Sequence, residues 1–169
     1  KNTPRALEAF LTKKSKDLFK KHGVMTPQEL DARNEIYLEN YMMKIQIESR
    51  LMADIALNQI IPTAVTYQNT LAQNARNLAD LKLDNKDIVK HIELISGYTK
   101  DLRILVHEMT EKRKELNEIA NHEERAIKYC DEVKETYFNK IRYAVDKLEL
   151  YVDDEIWPLP KYRELLFLK

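Results

Sequence analysis

Apolar residues recur every three or four positions along nearly the whole chain, so the pattern predicts helices throughout. Thr3-Pro4 opens the first, with Thr as N-cap and Pro at the first helical position. Leu7, Phe10, Leu11, Leu18 and Phe19 then mark one face up to His22-Gly23, where Gly suits a helix end. Thr26-Pro27-Gln28-Glu29 is a stronger start, because an N-cap Thr with Glu three residues on makes a capping box. From there Tyr37, Tyr41, Ile45, Leu51, Met52 and Ile55 continue the pattern without a breaker to Pro62. Such length suits a bundle or coiled-coil arm.

Beyond Pro62, which kinks or breaks the helix, Val65, Leu71, Leu78 and Leu81 extend it to about Leu83. Asp84-Asn85 is the next turn and cap, followed by Ile88, Ile92 and Ile95, with Ser96-Gly97 as a place to bend. A further seam runs through Leu102, Leu105, Met109, Leu116, Ile119, Ala126, Cys130, Val133 and Tyr137, interrupted by Lys112 and Glu123. It drifts to Ile141, Val145, Leu148 and Val152, the slip of a 3.6-residue helix that is not strictly supercoiled. Two long helices meeting near Asn121-His122 and packed antiparallel to the earlier pair account for it. Pro158 and Pro160 end the helical pattern beside Trp157, and so apolar a terminus is expected to fold back on the bundle or dock on another domain.

Charge adds one anomaly. The stretch Ile55 to Ala75 has no Asp, Glu, Lys or Arg in a chain that is 33% charged, where about seven would fall at the average rate. Sustained burial is the expected reason, with Asn58, Gln59, Gln68 and Asn69 bonding inside the bundle or across to a neighbouring part of the protein. A membrane span is excluded, because the many amides and threonines would need partners in lipid and Pro62 interrupts the register.

Composition narrows the class. With 169 residues, only 2 Gly and 5 Pro, the chain reads as all-α, a bundle of long antiparallel helices with a short Pro-containing C-terminal segment. Twenty-eight basic and 28 acidic residues give no global field for nucleic acid. The single Cys130 excludes an internal disulfide and favours a reducing compartment, so a cytoplasmic location is expected. A start at Lys1 with no leader or lipidation box is expected of a processed chain or a piece of something longer.

Candidate chemistry is sparse. No Glu lies three residues before His22, His91, His107 or His122, so the Glu-x-x-His pairs of a di-iron bundle are missing. His107-Glu108 and His122-Glu123 lack the second His of a zinc-protease helix, and all four histidines read as surface or helix-end residues. Cys130, on the apolar seam, reads as a packed thiol. Gly23 and Gly97 are too far apart for a phosphate loop. Arg50 and Asp54, with Glu48 nearby, read as an ion pair closing a buried polar network. The nine tyrosines read as amphipathic packing with the hydroxyl at a rim. No catalytic, cofactor-binding or metal-binding residue is therefore assigned.

Four segments carry a resemblance. They are Thr3-Pro-Arg-Ala-Leu-Glu-Ala-Phe, Lys20-Lys-His-Gly-Val-Met-Thr-Pro-Gln-Glu-Leu30, Ile47-Glu-Ser-Arg50 running into Asn58-Gln-Ile-Ile-Pro-Thr63, and Trp157-Pro-Leu-Pro-Lys-Tyr-Arg-Glu-Leu-Leu-Phe167. Over essentially its whole length the chain resembles the C-terminal helical region of type III glutamine synthetases, bacterial and Bacteroides-like. The resemblance implies a parent enzyme that ligates ammonia to glutamate with ATP and divalent Mg or Mn, built as a homo-dodecamer of two hexameric rings. It also implies that the catalytic residues lie upstream, so none is carried onto this segment, which alone is expected to be inactive. The expected partners are the rest of the same subunit and neighbouring subunits.

The domain layout that follows is a single helical domain over 1–169, the C-terminal part of a longer chain. Residues 1–23 form a lead-in helix, 26–83 a long helix broken or kinked near Pro62, 85–152 long helices, and 153–169 a C-terminal docking segment. Its role is structural or in subunit assembly; the alternative is an autonomous helical-bundle protein-interaction module.

Overall fold

The computed structural model describes residues 2–166, all helix and connecting turns with no strand among them. Helices α1 (Thr3–Leu11), α2 (Lys13–Lys21) and α3 (Pro27–Ile55) lead into a π-helical turn (Ala56–Ile60) and α4 (Ile61–Asp80). Then come α5 (Lys86–Asn117), α6 (His122–Lys128), a π-helical segment (Tyr129–Phe138), α7 (Asn139–Tyr151) and α8 (Tyr162–Leu166). The all-α class expected from periodicity is what the chain adopts. Phe167, last residue of the closing motif, lies outside the described residues.

Side-chain caps place most of the boundaries. Asn2, not Thr3, caps α1: its Oδ1 accepts from the Arg5 amide, and Pro4 sits in the first turn, where no intrahelical donor is needed. The expected single lead-in helix is two, because Thr12 takes an extended conformation (φ −63°, ψ 145°) that ends α1 and caps α2. Its Oγ1 accepts from the Ser15 amide, while the Ser15 hydroxyl donates to the Ala9 carbonyl. Two hydroxyls thus satisfy a corner that hydrophobic spacing cannot reveal.

At the end of α2, Val24 N–H bonds the Phe19 carbonyl and Gly23 N–H the Lys20 carbonyl, around Gly23 at φ 64°. That is a Schellman closure. The capping box also forms, with the Thr26 amide donating to Glu29 Oε2 at 2.7 Å and the Glu29 amide to Thr26 Oγ1 at 3.2 Å. Those bonds hold the Glu29 carboxyl below its ordinary pKa.

Pro62 neither breaks the helix nor stops it, since helical bonding runs from Pro27 to Asp80. A proline interrupts a regular helix because its ring meets the carbonyl four residues back. Here the preceding turn widens, the Ile61 amide reaching back to the Ala56 carbonyl. A second widened segment, where Thr136 Oγ1 donates to the Asp131 carbonyl, carries the last positions of the seam, Cys130, Val133 and Tyr137, and ends before Ile141. The slip expected from a helix that is not strictly supercoiled falls at the end of this second widened segment. The Ser96-Gly97 pair, by contrast, leaves α5 unbroken.

Contacts group the chain into two compact units, Lys1–Leu51 with Glu108–Asn139, and Met52–His107 with Lys140–Lys169. In the first, the core is Leu30, Leu38, Met42, Ile45, Met109, Leu116, Ala126, Tyr129, Cys130 and Val133. Each large aliphatic side chain buried there contributes about 1.5–3 kcal/mol relative to exposure. Gln46 meets Asn117 while Ser49 meets Arg113, so within this unit α3 and α5 run antiparallel.

In the second unit Ala56, Ile60, Ile61, Ala64, Ile95, Leu102, Val106, Ile141, Ala144, Leu148, Val152 and Trp157 are buried. Gln68 donates to the Ile92 carbonyl and to Ser96, and Asn85 to the Ala75 carbonyl, which sets α4 and α5 antiparallel here. Of the C-terminal segment, expected to fold back or to dock on another domain, the part around Trp157 returns to this unit, while Leu165 and Leu166 stand exposed. Trp157 is 8% exposed, and Lys161 Nζ donates to the Glu149 carbonyl at 3.0 Å and pairs with Asp154.

Candidate functional site

The most developed polar constellation lies in the first unit, where α3, α5 and the π-helical segment meet. Tyr129 is fully buried, and its hydroxyl donates to Asn117 Oδ1 at 2.6 Å and accepts from Gln46 Nε2 at 3.1 Å. The Arg113 carbonyl, 3.1 Å away, is a second acceptor for the same proton. Gln46 Nε2 also donates to Asn117 Oδ1 at 3.0 Å, closing a triangle. Beside it Arg113 donates to Ser49 Oγ at 3.3 Å, and Ser49 in turn to the Gln46 carbonyl.

Burial pushes the Tyr129 phenol up and, with the nearby Arg50 charge, pulls the Arg113 guanidinium down. The members of the cluster are bonded to one another and tie α3, α5 and the π-helical segment together within this unit. Sequence reasoning missed it, placing the tyrosine hydroxyls at a rim and the polar network at Arg50 and Asp54. Glu48, Arg50 and Asp54 are in fact exposed, and Asp54 accepts from Asn58 at 2.5 Å. The signal that could have found Tyr129 is its place one residue before Cys130 on the apolar seam.

The other residues weighed for chemistry are accounted for. Cys130 is buried and free. Its neighbour Tyr41 has a buried hydroxyl with no oxygen or nitrogen partner, and burial raises its pKa. His22 and His107 are exposed, and His122 opens α6 with Nδ1 3.0 Å from Glu39. His91 departs from the surface expectation. Half-buried between the Tyr67 and Tyr151 rings, its Nε2 lies 2.9 Å from the Tyr151 carbonyl, so that nitrogen carries the proton.

A surface cleft of about 440 Å³ in the first unit is walled by Asp31, Asn34, Glu35, His122 and Glu123. Two of its walls are already paired, Asp31 with Lys16 at 2.6 Å and His122 with Glu39. Among the described residues no three His, Cys, Asp or Glu side chains converge on a point that could hold a metal ion. Nor, among those residues, is any helix long and apolar enough to cross a membrane.

The uncharged stretch is only partly buried, which corrects the expectation of sustained burial. Ala56, Ile60, Ile61, Ala64 and Ala75 turn inward, whereas Leu57, Asn58, Gln59, Val65, Asn69 and Gln73 are exposed. Gln68 makes the expected cross-helix bonds; Asn58 bonds one turn back to Asp54. The exposed part of the stretch therefore mixes amides with the apolar Leu57 and Val65.

Comparison with known proteins bears on the family of the chain. Residues 1–79 match the model of the glutamine synthetase C-terminal domain. A glutamine synthetase of Bacteroides fragilis (strain YCH46) is 40% identical over 177 residues, covering 99% of this chain. A type-3 glutamine synthetase of Dictyostelium discoideum and a glutamine synthetase of Butyrivibrio fibrisolvens are each 25% identical over 99% of the chain. In all three the chain spans 24% of the relative's length. With end-to-end likeness to glutamine synthetases added to the domain match, the chain belongs to the glutamine synthetase C-terminal domain family.

Proposed function

We propose that the chain serves as a bracing and assembly domain of a glutamine synthetase, a ligase joining ammonia to glutamate with ATP. The observation that carries this reading is the match over 99% of the chain to only 24% of relatives named glutamine synthetase. A quarter-length helical part with interlocked polar groups and open apolar faces is suited to holding a larger body together. In this reading ATP and the divalent Mg or Mn ion belong to the rest of the polypeptide. What supports that placement is that, among the described residues, no three carboxylate, imidazole or thiolate groups converge.

The partners are the remainder of the same subunit and neighbouring subunits of a homo-dodecamer, in the cytoplasm. An ATP- and glutamate-dependent ammonia-ligation assay separates the parts. The full-length polypeptide should turn over and the 169-residue chain should not. Turnover by the chain alone would overturn the reading.

A further inference from the structure

Helix α3 carries two apolar stripes, and among the described residues only one of them is buried. Leu30, Leu38, Met42 and Ile45 are buried at 1–4% exposure, whereas Ile36, Met43, Ile47 and Leu51 stand at 55%, 56%, 57% and 56%. At 100° per residue the steps from 36 to 43, 47 and 51 keep the second set within an arc of about 80°, opposite the buried set. Four aliphatic side chains at helical spacing on a solvent face are not the scatter of single exposed residues that any surface shows. Asn40, which lies among them, is uncharged as well.

We infer that the Ile36–Met43–Ile47–Leu51 stripe is the docking seam for an apolar face of the rest of the same polypeptide. This rests on the bracing role proposed above. Two observations choose that occupant over a second copy. The stripe offers on the order of 400 Å², about half of what each partner contributes to a standard interface between separate molecules. A segment tethered in the same chain loses far less translational freedom on docking, so a seam of this size suffices for it. The relatives also supply the occupant, since about three quarters of their length lies outside the part matched here.

Met43 is a built-in probe, because peroxide oxidises an accessible thioether and spares a covered one. In the native full-length enzyme, Met43 should oxidise at least about 10-fold more slowly than in the same enzyme unfolded in urea. Ile47→Glu should restore fast oxidation, and Leu150→Glu, at a position 74% exposed and off the stripe, should not. A photo-crosslinking residue at position 43 should join positions within one polypeptide and leave the subunit mass unchanged. Fast oxidation of Met43 in the native enzyme, or crosslinks that double the subunit mass, would overturn the inference. The bracing role is read separately, from assembly after removal of the chain, so the seam can fail while that role stands.

Discussion

Tyr129→Phe tests the polar triangle at its centre. The ring is fully buried and Phe refills its space, so the change removes one hydroxyl and nothing else. Lost are a bond donated to Asn117 Oδ1 at 2.6 Å and one accepted from Gln46 Nε2 at 3.1 Å. Each is worth about 1 kcal/mol net. The direct Gln46 to Asn117 bond at 3.0 Å survives and keeps both amides partly satisfied, and Asn117 is exposed enough to regain water. The expected loss is therefore about 1–2 kcal/mol, a 5- to 30-fold fall in the folding constant.

Tyr41→Phe is the matched control. Its hydroxyl is buried beside the Cys130 thiol, a weak partner, so removing it should be neutral or stabilising by up to about 1 kcal/mol. Urea unfolding followed by circular dichroism measures both variants against the parent. A Tyr129→Phe effect within about 0.3 kcal/mol of zero, or a Tyr41→Phe loss as large as that of Tyr129→Phe, would refute the reasoning.

Other consequences are local. Gly97→Ala should stabilise α5 by about 0.5–1 kcal/mol in thermal unfolding, because Gly97 is mid-helix and a Cβ there meets nothing within 4 Å. A loss on substitution would show that the face is covered. Lys82 closes α4 at φ 59°, with Leu83 N–H on the Leu78 carbonyl, so Lys82→Gly should stabilise by about 1 kcal/mol. Thr26→Ala should cost about 1 kcal/mol by opening the capping box at the head of α3. Because Glu29 has its pKa lowered in the folded chain, its contribution is present above the ordinary value of 4.5 and is lost as pH falls through the folded pKa. In Thr26→Ala that acid-side loss should shrink, and an unchanged pH profile on the acid side of 4.5 would contradict the assignment.

How much was legible depended on which interaction set each feature. Helix class, the capping box at Thr26, Gly23 as a closing residue and the return of Trp157 all follow from short-range pattern, and each is present. Tyr129 was not legible as the fully buried centre of a polar triangle, since its partners lie 12 and 83 positions away in sequence. Thr12 looked like an ordinary helix residue because the bonds that turn the corner come from two hydroxyls, not from a Gly or Pro. Pro62 predicts a disturbance, which a widened turn absorbs, and periodicity does not encode turn width. The uncharged stretch predicts burial because charge is scarce in cores. About half of its positions are open to solvent, because short amide and hydroxyl side chains are as compatible with water as with a core, so absence of charge is not by itself a sign of burial.

The central claim, that this helical chain holds a glutamine synthetase together and leaves the chemistry to the rest, is tested most directly by deleting it after Thr26 from the full-length enzyme. Native mass spectrometry, with thermal unfolding and the KM for glutamate and ATP measured in parallel, reads the result. A smaller or less stable assembly, with substrate affinity retained in whatever fraction stays folded, is the predicted result. An unchanged oligomer of normal stability would contradict it.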